Sequence, residues 1–446
     1  MIKKQIFKLI KKQELTDITI NLNNSKENEL VFYKCGEVLD KDLFNNRLSL
    51  SKANYIITNN INLTSIDPLK IFFIEDFLKF KHLCIDQLYK TTLEVTNIGI
   101  TGTNGKTSTT WFIKEFLKKD NNVILFGTNG IYLNDDFLSK SINTTPDYSI
   151  YLKTLHKVFK EKKIKKIITI MEVSSHALSQ QRTLGIEFDY AAITSISQDH
   201  LDYHKNMNNY IAAKKLLLDM SEKFYCFKNM KFIDEYSKGY IDKITLVTLD
   251  NKLYSDFEIP TFQKRNHFLA FLISKEINRS IVFDKNLIFP DGRFEILSFK
   301  KSKIIIDYAH TPDAFIEVYN NTKKLFSNPY IVTVFGCGGD RDIGKRKIMG
   351  SIADKFSNEV ILTNDNPRCE NDDKIINDII SGFENKKFKI IKNRKEAIVS
   401  SLNNCCNKNI VILILGKGHE DYQEVNNIRS YFKDRDVVKE FINAKS

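Results

Sequence analysis

The chain has 446 residues, 42% hydrophobic and 27% charged, with 67 basic against 55 acidic side chains and a formal net charge of +12. Its mean hydropathy is −0.29 and no apolar run approaches the ~18 residues of a membrane span, so the composition excludes a transmembrane chain, wholesale disorder and collagen-like repeats. The basic residues are scattered among Ile and Asn rather than gathered in a stripe, so the expected partners are anionic small substrates and not nucleic acid.

At ~100–200 residues per domain the length allows two to four domains. The amino terminus, MIKKQIFKLIKKQELTD, is basic, but lysines interrupt its apolar residues and no small-residue cleavage site follows, so a cytoplasmic protein is expected. Seven cysteines, odd in number and without a repeated CxxC, suit neither a disulfide framework nor a zinc site. Cys337, inside FGCGGD, reads as a small buried residue.

Residues 1 to 88 mix short alternating runs (DITINL, ELVFY, YIITN, KIFFI) with polar turns, which predicts a small α/β domain. From 89 to 290 apolar strands alternate with amphipathic helices, and from 291 to 446 the alternation repeats more regularly. That order implies parallel sheets covered by helices, an α/β fold.

In the middle segment EVTNIGI runs into TGTNGKTSTT and then a helix whose Phe112, Ile113, Phe116 and Leu117 form an apolar face. This is the strand, glycine turn and helix of a phosphate-binding loop. Gly102 and Gly105 let backbone N–H groups approach phosphate oxygens, Lys106 is placed for the β/γ-phosphates, and the Thr107 hydroxyl for Mg²⁺. Ile100 occupies the position where the strict motif has its first glycine. Two later strands end at Glu172 (IITIMEVSS) and at Asp199 and His200 (AAITSISQDH); as parallel neighbours of the loop strand they would bring Glu172 and His200 beside Thr107. Taken alone, His200 reads more often as a helix-capping or surface histidine; beside a phosphate loop the ligand reading is preferred.

The last segment carries the strands KIIIDYAH, YIVTVFGCGG, EVILTNDNP, FKIIK and IVILILGKGHED, with helical GKRKIMGSIADKF and DKIINDIISGF between them. Because ligands bind outside the carboxyl ends of such strands, Asp307, His310, Arg341, Asp365, Arg368 and Glu420 are expected to approach one rim.

TGTNGKTS, EVSSHALSQQR, DHLDYH, DYAHTPDA, FGCGGDRDIGKR, DNPR and GKGHEDYQ, in this order, resemble the Mur ligase family, over about Gly99 to Gln423. The resemblance implies three domains: residues 1–88 for the uridine nucleotide, 89–290 a central P-loop ATPase with a mostly parallel sheet, and 291–446 a Rossmann-like domain for the incoming amino acid. It implies ATP-dependent amide formation through an acyl phosphate, as in peptidoglycan precursor synthesis, by a monomer. Catalysis would rest on Lys106, Glu172, His200 and Lys214, with Mg²⁺ held by Thr107, Glu172, His200 and Lys214, the last as a CO₂-derived carbamate. From the residues alone Lys214, in MNNYIAAKKLLLDM, is a solvated helix lysine.

By the same resemblance ATP, as co-substrate, would meet Gly102, Thr103, Asn104, Gly105, Lys106, Thr107, Asn266, Arg293, Asp307 and His310. Gln263 stands where the family usually has a first asparagine. The substrate UDP-N-acetylmuramoyl-L-alanyl-D-glutamate would meet Asn143, Thr144, Thr145, Ser174, Gln180 and Arg182. The amino-terminal segment lacks the family's serine-arginine uridine motif, which leaves its uridine contacts unassigned.

DNPR resembles the form of its motif associated with meso-diaminopimelate, which differs from lysine by a carboxylate at its far end. Arg368 offers that carboxylate a planar fork of donors, and Arg341, Asp365, Asn366, Gly416 and Glu420 match family positions around the same amino acid. The bland alternative makes Asp365 a helix cap and Arg368 a surface ion pair. Competing functions are a lysine-adding or folylpolyglutamate synthetase-like ligase, and a non-catalytic nucleotide-dependent scaffold.

Overall fold

The computed structural model describes residues 2–36, 40–255, 259–284, 288–385, 388–403 and 410–445. The chain forms two compact units. The smaller comprises Met1–Val95, Pro146–Ile167 and Gln181–Ile186, and the larger Thr96–Thr145, Ile168–Gln180 and Glu187–Ser446.

In the smaller unit the short alternating runs become four parallel strands in the order Asp17–Thr19, Glu29–Tyr33, Tyr55–Thr58, Ile71–Phe73. Val31, Phe44, Ile56, Leu63 and Ile71 form their core. The helices Phe77–Tyr89 and Tyr148–Lys162 are joined by Lys81 to Asp147 (3.0 Å) and by the Tyr148 hydroxyl donating to Asp86 (2.7 Å).

The larger unit holds two main sheets. The first has the order Ile244–Val247, Ser221–Phe227, Phe188–Ile193, Glu94–Thr101, Lys166–Glu172, Val123–Gly127, Gly130–Leu133, Asp136–Ser139. Its strands pair in parallel except for the antiparallel meander of the last two. The strands ending at Glu172 and at Ile193 flank the phosphate-loop strand on either side, but the second stops at Ile193, so Asp199 and His200 lie in the segment after it and not at the strand end expected from AAITSISQDH. Behind that loop strand, the helix Lys106–Leu117 packs on Thr261–Ile277 through Phe112 and Phe116, whose rings lie 5.1 and 5.0 Å from that of His267. Lys114 on the same helix is buried as well, under the Trp111 ring at 3.9 Å and paired with Glu115 and Asp135.

The second sheet runs Glu295–Phe299, Ser302–Asp307, Ile410–Leu415, Tyr330–Phe335, Glu359–Leu362, Phe388–Ile390, antiparallel only at its first pair. Its strands are apolar on both faces because helices cover both. Ile305, Val411, Leu413 and Leu415 point into one core and Ile304, Ile306, Ile412 and Ile414 into the other. The class is the expected α/β fold with mostly parallel sheets. Among the described residues Cys35, Cys84, Cys226 and Cys337 are buried free thiols and Cys369 an exposed one; Cys405 and Cys406 lie outside the described residues.

Candidate active site

The phosphate loop is held by the strand end beside it. Thr103 N donates to Ser195 O (2.9 Å), Asn104 N to Ser195 Oγ (3.0 Å), and the Thr103 hydroxyl bonds both Ser197 O and the Tyr210 hydroxyl. Gly105 takes φ +92°, and a Cβ there would stand 2.5 Å from Asn266 Oδ1, so only glycine fits both the turn and the approach of Asn266. The helix beginning at Lys106 has no side-chain cap, which leaves its first N–H groups for an anion.

Lys106 Nζ donates to the carbonyls of Gly102 (2.7 Å) and Thr103 (3.1 Å). Burial lowers its pKa, and Arg293 lowers it further against the pull of Glu172 and Asp199. The Thr107 hydroxyl donates to Glu172 Oε2 at 2.9 Å. The rest of this buried carboxylate is oriented by Thr128, whose N–H and hydroxyl donate to it at 2.8 and 3.0 Å. The Thr128 hydroxyl also reaches that of Thr144 (3.3 Å), bringing one residue expected for the muramoyl peptide next to Glu172. Thr145 accepts from Ser174 N at 2.9 Å, and Ser174 caps the short helix Ser175–Ser179. Asn143 and Gln180 are exposed. Arg182 belongs to the smaller unit.

His200 sits at φ +54°, a left-handed conformation uncommon outside glycine and often found at functional sites. Burial brings its pKa down to about 3, with Asp199 pulling the other way and His176, His310 and Lys106 adding to the fall. The imidazole is therefore neutral and able to act as a ligand. Asp199 lies 3.3 Å from it and is drawn down to about 2 by His200, His310 and Lys345, although burial alone would raise it. Lys214, on the helix Met207–Asp219, is not solvated: it is 1% exposed with its amine over the Tyr210 ring at 4.6 Å. Burial and then Lys106 hold its pKa well below the ordinary lysine value.

From the second sheet Arg293 donates to the Thr107 hydroxyl (3.0 Å) and stacks on Tyr308 (4.4 Å). Asp307 accepts from Phe294 N and Ala309 N, and burial pushes it up to about 6. His310 bonds Tyr308 O through Nδ1 at 2.8 Å and is lowered to about 4 by burial. Gln263, at the departure from the family pattern, is buried; it donates to Arg293 O (3.2 Å) and accepts from Asn266 (3.4 Å). A cavity of about 330 Å³ joins these residues to the loop, lined among others by Asn104, Thr107, Gln263, Asn266, Arg293 and Asp307.

At the rim of the second sheet Asn366 donates to Glu420 (2.8 Å), and Gly416 takes φ +110°, where a Cβ would meet Asp365 Oδ2 at 2.6 Å. Asp365 is no helix cap; Asn371 caps the helix that follows. Arg368 is held at φ +54° by its N–H on Glu424 O and its carbonyl on Asn426 N, and its guanidinium donates to Gly339 O (2.7 Å). Arg341 is exposed but lies with Arg368 over Gly338. The six residues expected around the amino acid therefore gather at one rim.

Several supporting residues escape a reading of the sequence. Arg346 is fully buried and grips Glu370 with two bonds (2.7 and 2.6 Å), Asp378 and Gly338 O, which fixes the glycine-rich turn under Arg341 and Arg368. Thr128 and Lys417 are the others. Only for Lys417 was there a signal, its place between Gly416 and Glu420.

The residues 100–282 match the model of the Mur ligase middle domain, and 292–418 that of the Mur ligase glutamate ligase domain. The chain belongs to the Mur ligase family. It is 35% identical to the UDP-N-acetylmuramoyl-L-alanyl-D-glutamate–2,6-diaminopimelate ligase of Aquifex aeolicus over 95% of this chain and 93% of that one. It is 31% identical to the enzyme of the same name from Bacillus cereus, over 97% and 95%. A solved structure bearing that name shares the fold with a TM-score of 0.60 at 24% identity, covering 97% of this chain and 95% of its own. The folylpolyglutamate synthase of Mycobacterium tuberculosis shares it at 0.58 and 15% identity, over 76% and 95%.

Proposed function

We propose that the protein is an ATP-dependent ligase that joins meso-2,6-diaminopimelate to UDP-N-acetylmuramoyl-L-alanyl-D-glutamate in peptidoglycan precursor synthesis. The observation that carries this reading is the rim where the Arg368 guanidinium and the Glu420 carboxylate flank Asn366, a pairing suited to an amino acid whose far end bears both charges. The names of the relatives similar over nearly the whole chain support it.

A carboxylate is a poor electrophile, so its oxygen first attacks the γ-phosphorus of ATP and ADP leaves. The amine of diaminopimelate then attacks the carbonyl carbon of the acyl phosphate. Phosphate departs with the bonding electrons, the nitrogen loses a proton, and an amide remains. The protein's part is to position the reactants and to neutralise growing negative charge. Lys106 and the N–H groups of the loop Gly102–Thr107 face the phosphates. Asn266, Arg293, Asp307 and His310 serve the nucleotide, while Asn143, Thr144, Thr145, Ser174, Gln180 and Arg182 serve the muramoyl peptide. Arg341, Asp365, Asn366, Arg368, Gly416 and Glu420 hold the amino acid.

The donors near the loop suit Mg²⁺. Thr107 and Glu172 offer hard oxygens in hydrogen-bond contact, and no cluster of three His, Cys, Asp or Glu ligands occurs among the described residues. Hard oxygens of this kind are the ligands Mg²⁺ prefers. Thr107, Glu172, His200 and a carbamylated Lys214 would hold it, and it would supply charge neutralisation. Lys214 suits the modification: among the described residues its amine has no hydrogen-bond or ion-pair partner, and burial favours the neutral form that captures CO₂.

The reading includes a monomer in the cytoplasm and a division of labour among residues 1–88, 89–290 and 291–446 for nucleotide sugar, ATP and amino acid. It is tested by phosphate release from ATP. Release should require the muramoyl dipeptide and diaminopimelate together; a pterin substrate replacing the dipeptide, or no turnover with any pair, would refute it.

A further inference from the structure

The amino-acid site contains a cation outside the assigned roles. Lys417 follows the strand Ile410–Leu415 and is fully buried. Its Nζ donates to Asn366 Oδ1 and to Glu420 Oε2, each at 3.0 Å. Asn366 Nδ2 donates to the same Glu420 oxygen at 2.8 Å, closing a ring of three side chains. Glu424 N also donates to Asn366 Oδ1, at 3.0 Å, so two donors fix the amide oxygen and turn the nitrogen toward Glu420. Glu420 Oε2 thus receives both bonds. Oε1 has no hydrogen-bond partner among the described residues.

The surrounding charges give this ring a direction. Burial and then Asp365 raise the Glu420 pKa, while Lys417 and the Asn366 hydrogen bond draw it back. Tyr308, Arg394 and Tyr422 also face it from neighbouring elements. Arg394 is matched by its own partner Asp434 at 2.8 Å, so Asp365 and Glu420 are set against Lys417, an excess of one negative charge that suits an ammonium. Burying a lysine and a glutamate together gains little stability over apolar packing, so its best-attested use is to fix geometry.

We infer that Lys417 is a positioning residue: it turns the Asn366 amide toward Glu420, provides that carboxylate with its counter-charge, and leaves Glu420 Oε1 to receive the far ammonium of the amino-acid substrate. The inference rests on the ligase reading above and adds a determinant of its amino-acid specificity.

Wild-type turnover with diaminopimelate is measured first, since its absence would refute the ligase reading itself. Lys417→Met should then raise KM for diaminopimelate by about tenfold or more, the factor carried by one charge-assisted hydrogen bond, and leave KM for ATP unchanged. Without the lysine Glu420 holds its proton to higher pH, so the acid limb of kcat/KM for diaminopimelate should move upward in pH. Lys417→Arg, which keeps the charge, should retain the wild-type limb. Adding Lys417→Met to Glu420→Gln should cost clearly less than the sum of the two single changes, because the charge of the lysine acts through Glu420. An unshifted acid limb, or equal changes in KM for ATP and diaminopimelate, would reduce Lys417 to packing and overturn the inference. If the methionine variant does not fold, Lys417→Gln keeps a donor for Asn366 without the charge and carries the same pH test.

Discussion

Lys106 and Lys214 are both buried amines with lowered pKa values, but their neighbours assign them different work. Lys106 rests on two carbonyls of its own loop and faces Glu172 and Asp199, so it stays close to where phosphate charge would grow. Lys106→Ala should lower turnover by about 10²-fold or more while thermal unfolding is unchanged; near wild-type ligation would remove it from catalysis. Lys214 has an aromatic ring beneath it and another cation nearby, surroundings that disfavour an ammonium. Lys214→Ala should lose most turnover, and a short carboxylic acid should restore part by filling the anionic position. Wild type incubated with ¹³C-bicarbonate should give a carbamate carbon signal that the variant lacks. Full activity of the alanine variant, or no such signal in wild type, would count against the carbamate. The sequence could not distinguish Lys214 from Lys215, its exposed-side neighbour with bonds to Glu235 O and Lys238 O. The difference is burial, and burial is decided by what packs on the helix.

At the scale of elements, the local pattern was most legible where a segment is buried on both faces. IVILIL could only be an inner strand, and it is buried at every position. TGTNGKTS was legible for another reason, since glycines at fixed spacing between a strand and a helix dictate the turn. Pairings between distant segments were not legible. Lys81 and Asp147, 66 residues apart, join two helices of the smaller unit, and nothing near either residue announces the other. Arg394 and Asp434 are a second case: both are fully buried, with two bonds of 2.8 Å between them and a third from Arg394 to Leu415 O. They tie the helices Arg394–Asn403 and Asp434–Lys445 to the end of the central strand. Arg394→Leu leaves a buried carboxylate without its partner, so it should destabilise the fold by about 3–5 kcal/mol. Arg394→Leu combined with Asp434→Leu should recover much of the loss. Denaturant unfolding measures both, and a single substitution costing less than about 1 kcal/mol would contradict the role given to the pair.

For the molecule as a whole, the fold does not choose the substrate. A diaminopimelate ligase and a folylpolyglutamate synthase match it with TM-scores of 0.60 and 0.58, and the function proposed above assigns discrimination to a few residues at the rim of the second sheet. Most of their identities were visible in DNPR and GKGHED, whereas the bracing roles of Lys417, inside the second motif, and of Arg346, outside both, depend on side chains that only the fold brings together. L-lysine would present only its ammonium where diaminopimelate also presents a carboxylate, leaving Arg368 with its Gly339 carbonyl and a long 4.0 Å ion pair to Glu424 and facing a like charge. Sites built around a polar group reject analogues lacking it by ~10⁴ or more. The most direct measurement is therefore kcat/KM for meso-diaminopimelate and for L-lysine, in wild type and Arg368→Ala, with the muramoyl dipeptide and ATP saturating. Wild type should favour diaminopimelate by a factor on the order of 10⁴. Arg368→Ala should lose most of that preference through a fall in the diaminopimelate value, without becoming an efficient lysine ligase. Comparable wild-type values for the two amino acids would contradict the account.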